Sequence, residues 1–158
     1  MTLAIPHVTT GAAGVDFSRV TTTEEFSPGT KVHADNGACY QYVSTSANIS
    51  VGAVCKIDEA FDIVELTTAI SGTEPTKVGV PQVAIDGSAT KSYGWVAVEG
   101  PLNVDVNGTP AAGTQLTTHT VAGQASTGGD VIHGLTNSEV GQNGITECFA
   151  TAPLATNT

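Results

Sequence analysis

Residues 92–107 read Ser-Tyr-Gly-Trp-Val-Ala-Val-Glu-Gly-Pro-Leu-Asn-Val-Asp-Val-Asn. Leu102, Val104 and Val106 alternate with Asn103, Asp105 and Asn107, a period of two that places one face in a core and the other in water. Just upstream, Tyr93, Trp95 and Ala97 alternate with Val96 and Val98, and Gly100-Pro101 is read as a bend from one strand into the next. Working outward, Cys39, Gln41 and Val43 share one face of a strand while Tyr40 and Tyr42 share the other, and Ile145–Ala150 forms a late strand. Pro81 interrupts the strand-like run Val78–Ile85. It cannot donate to a ladder, so an edge strand or a bulge is expected there. Strand signals recur roughly every 8–12 residues between Gly, Asn, Asp and Pro, which predicts an all-β fold. The expected form is a single compact β-barrel or β-sandwich of short, mostly antiparallel strands.

One segment is read two ways. Ile57, Ala60, Phe61, Val64 and Thr68 fall at helical spacing with Asp58 as N-cap, yet Phe61, Ile63 and Glu65 also alternate. The β-branched Ile63-Val64 and Thr67-Thr68 favour the strand.

The composition supports the pleated reading. The 158 residues are 40% apolar but only 13% charged and 5% aromatic, with 18 glycines, and threonine is the commonest residue. That mixture buries a core and favours strands and turns over helix. The formal charge of −10 leaves no basic patch for phosphates, so neither nucleic acid nor an anionic membrane is an expected partner. Met1–Val8 lacks the basic start and long apolar core of a secretory signal, so synthesis in the cytoplasm is expected.

Residues 1–30 show no sustained periodicity and are expected to form an extended arm, with residues 31–158 as the β-rich domain. Thr22-x-x-Glu25 has the form of a capping box with room for one helical turn before Ser27-Pro28-Gly29. The arm's apolar residues, among them Ile5, Val8, Phe17 and Phe26, need a surface to cover, either the chain's own body or a neighbour. They are the candidate interface residues.

Residues that might carry chemistry do not converge. His7, His33, His119 and His133 lack metal-ligand spacing, and no nucleophile motif is present. Cys39, Cys55 and Cys148 read as buried thiols. Asn103-Val-Asp105-Val-Asn107-Gly108 begins like a calcium loop, but Thr114 stands where the closing Glu is required. Asp58, Glu59, Asp62 and Glu65 read as a solvated acidic face, and Gly11, Gly14, Gly128 and Gly129 as turn and linker residues. Trp95, flanked by Gly94 and Val96, reads as core rather than as a sugar-stacking platform. No catalytic residue, cofactor or metal is expected, and the chain is not read as an enzyme.

A faint repeat runs through the sequence. Ser50–Cys55 echoes Pro110–Leu116 in setting a Gly before a strand, Val78-Gly79-Val80 echoes Ile132–Leu135, and Tyr93–Val96 echoes Asn143–Thr146. Two similar β units or chance similarity both account for it.

The succession Ile49-Ser-Val-Gly-Ala-Val-Cys, Phe61–Thr68, Val78-Gly79-Val80, Tyr93-Gly94-Trp95-Val96 and Gly100-Pro101 resembles the head decoration, or capsid cement, proteins of tailed bacteriophages. The likeness runs from about Ala38 to the C-terminus and excludes the arm. It implies a non-enzymatic virion protein on the outer capsid surface, usually a homotrimer, which stabilises the head by bridging major capsid subunits. The alternative is a carbohydrate-binding or adhesive β-sandwich displayed at a surface.

Overall fold

A computed structural model describes residues 14–69 and 76–155. Among these residues the chain is all-β, with twelve strands. They are β1 (Lys31–His33), β2 (Cys39–Thr45), β3 (Asn48–Ile49), β4 (Cys55–Ile57), β5 (Ile63–Glu65), β6 (Thr76–Pro81), β7 (Ile85–Asp86), β8 (Ser92–Val106), β9 (Gln115–Thr118), β10 (Ala125–Ser126), β11 (Val131–Asn137) and β12 (Gly144–Ala155). Ten of them form one mixed sheet, and β3 and β7 form a small second one.

The large sheet closes on itself twice. In the first ring, β2 pairs with β8, β8 with β6, β6 with β4 and β4 with β5, all antiparallel. A parallel bridge from Asp62, just before β5, to Ser44 of β2 completes it. The Ser44 N–H donates to the Phe61 carbonyl at 3.0 Å, and the Thr45 hydroxyl to the Ile63 carbonyl at 3.0 Å. In the second ring, the far half of β8 pairs with β12, β12 with β11, β11 with β9 and β9 with β10, again antiparallel. A parallel pairing of Ala125 with Val106 closes that ring.

The two rings therefore have the same connectivity and the same kind of closing seam. The second begins on the strand that ends the first, so the molecule is two fused five-stranded barrels sharing β8. The faint sequence repeat corresponds to this duplication. Ser50–Ala53 and Ala111–Thr114 form matching turns before β4 and β9, each closed by an N–H to carbonyl bond and each with a left-handed glycine, Gly52 and Gly113.

Each barrel has its own filling. Cys39, Val43, Cys55, Ile57, Ile63, Val96 and Val98 occupy the first. There β6 contributes Gly79, where a Cβ would stand 2.7 Å from Val96 and 2.9 Å from Ile57. Leu102, Val104, Val106, Leu116, Ala125, Ile132, Leu135, Cys148 and Ala150 line the second, and that cluster continues into the aromatic layer of Tyr40, Tyr42 and Trp95 outside the first. Both faces of β2 are buried as a result, which is why all seven of its residues are.

Several expectations are corrected. Residues 92–106 are one strand of 15 residues, not two. Gly100 bends it in place with φ +87°, and a Cβ there would lie 2.7 Å from the Ala38 backbone. Pro81 does not mark an edge. It is the last residue of β6, which has β4 on one side and β8 and β12 on the other, so its missing N–H falls where the ladder stops. Asn103 is not on a wet face, because it is buried and its backbone N–H and carbonyl are held by the Gln82 amide at 2.8 and 3.1 Å. Asp58 caps a turn rather than a helix, accepting the N–H groups of Ala60 and Asp62 at 2.8 and 2.9 Å, and the chain then enters β5. No helical turn forms at Thr22–Glu25, where the backbone instead makes an isolated antiparallel bridge from Thr21 to Tyr93.

Residues 14–30 contain no named strand, and they are packed on the body. Phe17 is 1% exposed, stacked on Tyr40 at 4.2 Å and edge-on to Trp95 at 5.4 Å. Phe26 is partly buried against Tyr42 and Trp95, at 5.3 Å from each. Of the two surfaces available to these side chains, the chain's own body is the one they cover, so Phe17 is unavailable to a neighbour. Ile5 and Val8 lie outside the described residues.

Candidate interaction surface

The residues most able to perform chemistry are spent on structure. Asp62 accepts a hydrogen bond from the Ser44 hydroxyl and an ion pair from Lys91 at 2.9 Å, which ties the seam of the first barrel. Partial burial works against its charge, but the Ser44 hydroxyl and the Lys91 ammonium outweigh it and hold the carboxyl below its ordinary value. Glu65 accepts the Ser50 N–H at 3.2 Å. Asp105 and Asn107 both bond to the Gln124 amide, so the calcium-like run is fixed as the end of β8. Among the described residues no three His, Cys, Asp or Glu side chains gather into a metal-binding group.

The three cysteines are free and buried, and desolvation raises each thiol above its usual value, Cys148 to about 12. Trp95, 2% exposed in the aromatic cluster, is core and offers no face to a sugar.

The surface also presents several large apolar side chains. Ile145, Phe149 and Leu154 of β12 are 44%, 47% and 37% exposed. Their strand pairs with β8, β11 and β6, so it spans both barrels and forms a ridge along the joint. Phe149 sits between Pro101 of β8 and Thr136 of β11, and Ile145 beside Asp105. On one side of Phe149 a shallow hollow is lined by Gly37, Glu99, Gly100, Thr151 and Ala152. Ala152, at φ +46°, also borders a narrower cavity that ends at Leu154. A separate hollow beside β9 and β10 is hydroxyl-rich, lined by Thr68, Thr118, Thr120, Ser126, Thr127 and His119.

The narrower cavity, about 190 Å³, is the open end of the first barrel. Gln41, Ile57, Lys77 and Val98 line it from β2, β4, β6 and β8, each two residues from the interior positions Val43, Cys55, Gly79 and Val96 and so on the same inward face. Pro153 and Leu154 form one wall, and Lys31 stands at the rim.

Sequence reading identified the strand Ile145–Ala150 but not its role, and it missed Lys31, Lys77 and Leu154. Those three are far apart in the chain, and only ring closure brings them to one mouth. Comparison with protein-family models and with curated proteins finds no match.

Proposed function

We propose that this chain is a capsid decoration protein, which binds the outer surface of a phage head and stabilises it by bridging shell subunits. The observation that carries the reading is the exposed β12 ridge, Ile145–Phe149–Leu154, set on the joint of two closed barrels. Closed rings leave few free strand edges, so binding through side chains of a rigid face is the contact this architecture favours. The ridge is exposed apolar area in a chain of net charge −10, and such patches mark contact surfaces. Work of this kind needs no bond chemistry. A modest contact repeated over many copies, or doubled within an oligomer, holds firmly through effective concentration.

The resemblance to decoration proteins in residues 38 onward points the same way, and it supplies the homotrimer and the major capsid protein as the proposed partners. The experiment adds purified chain to heads that lack it, followed by sedimentation and thermal disruption of the heads. Binding with raised disruption temperature is expected, and it should be lost in Phe149→Asp. Heads that neither bind the chain nor gain robustness from it would overturn the reading.

The hydroxyl-rich hollow beside β9 and β10 favours a second reading, saccharide binding. Glycan-array binding abolished by His119→Ala would support it.

A further inference from the structure

The mouth of the first barrel carries a charge pattern at odds with the rest of the molecule. The chain has only five Lys and Arg against 15 Asp and Glu, yet two of the lysines, Lys31 and Lys77, stand at this one cavity. Arg19 and Lys91 are paired with Glu25 and Asp62. Lys31 and Lys77 are in no ion pair among the described residues. Among the described residues no carboxylate lines the cavity. Glu99, paired with Cys39 across β2 and β8, acts on that thiol in the opposite sense to Lys31. Apart from the Gln41 amide, the lining between the lysines is aliphatic, with Ile57, Val78, Val98 and Leu154.

We propose that this mouth is a docking site for an extended segment of the shell subunit in which an aliphatic side chain lies next to carboxylates. The aliphatic group would fill the barrel end, and the carboxylates would meet Lys31 and Lys77. Charge complementarity selects this occupant. A second copy of a chain with net charge −10 meets general repulsion, and the local cations reverse that only for an acidic strip placed at the rim. Ala152 borders both this cavity and the hollow beside Phe149, so a segment seated here would lead toward the β12 ridge. Strand β1 is the outermost of its sheet among the described residues, and with Lys31 at the rim it offers a backbone edge to an extended chain.

This inference rests on the decoration reading, and the test separates the two. Lys31→Glu, Lys77→Glu and Lys56→Glu each change the charge equally. Lys56 alternates with Cys55 and Ile57 and faces away from the barrel interior. Affinity for heads lacking the chain is measured for all three, with circular dichroism confirming the fold. Reversal at the mouth is expected to weaken binding about tenfold or more, with a smaller effect at Lys56 and a steeper salt dependence in wild type than in the mouth variants. Equal loss in all three, or loss in none, overturns the docking site while leaving decoration standing. If wild-type chain does not bind heads, the decoration reading fails. The site is then judged by amide chemical-shift perturbation with acetyl-Ala-Glu-Leu-Glu-Ala-amide, with the Lys-for-Glu peptide as control. Shifts confined to Lys31, Lys77 and Leu154 with the acidic peptide support the site, and their absence overturns it.

Discussion

Phe17→Ala tests whether the segment before β1 belongs to the folded body. The side chain is 1% exposed, stacks on Tyr40 and meets Trp95 edge-on at an interplanar angle of 87°. Truncating a buried Phe costs about 3–5 kcal/mol, the upper part of that range applying where aromatic pairs are lost as well. The value expected here is about 4 kcal/mol, since the cavity is walled by β2 and β8 and cannot collapse readily. For a chain of this size that is a fall in Tm of about 8–16 °C. Urea unfolding followed by fluorescence gives the magnitude, and the one tryptophan, Trp95, reports on the site itself. Phe17→Leu should recover most of the loss, because it keeps apolar volume while removing the ring contacts. Phe26→Ala, at a partly buried position, should cost about half as much. A loss below about 1 kcal/mol in Phe17→Ala with unchanged Trp95 emission would refute the packing of this segment on the barrel.

Gly100→Ala should destabilise by about 2 kcal/mol or more, measured by the same unfolding, because the left-handed φ and the Ala38 backbone both oppose a Cβ. Native chain at pH 8 should show no thiol titratable by a disulfide reagent within minutes and three after unfolding, since Cys39, Cys55 and Cys148 are buried with raised thiol values. Asp62 is held below its ordinary value, so its contribution is complete above about pH 4 and is lost as pH falls through the lower folded-state value. Wild type should therefore melt above Asp62→Asn at pH 7, and the gap should narrow below pH 4 in calorimetry.

Local pattern carried a good part of this fold. The period-two runs at Leu102–Asn107 and Cys39–Val43 placed β2 and the far half of β8, and composition alone pointed to strands. The competing helix at Asp58–Thr68 failed because Asp58 and a left-handed Phe61, at φ +62°, close a turn that hands the chain to β5. Alternation reports that a residue has two kinds of neighbour, but not which strands supply them. Hence Asn103 was legible as facing away from Val104 and illegible as buried under Gln82.

By itself, then, the sequence determined strand content, the positions of most turns and the acidic character of the surface, because each of these depends on residues within a few positions of one another. Ring closure depends on pairings between distant segments, Ser44 with Asp62 and Val106 with Ala125, whose free energy is spread over whole strands. Only the tertiary structure decided that a faint repeat is two barrels, that Phe17 is core, and that Lys31, Lys77 and Leu154 share one mouth.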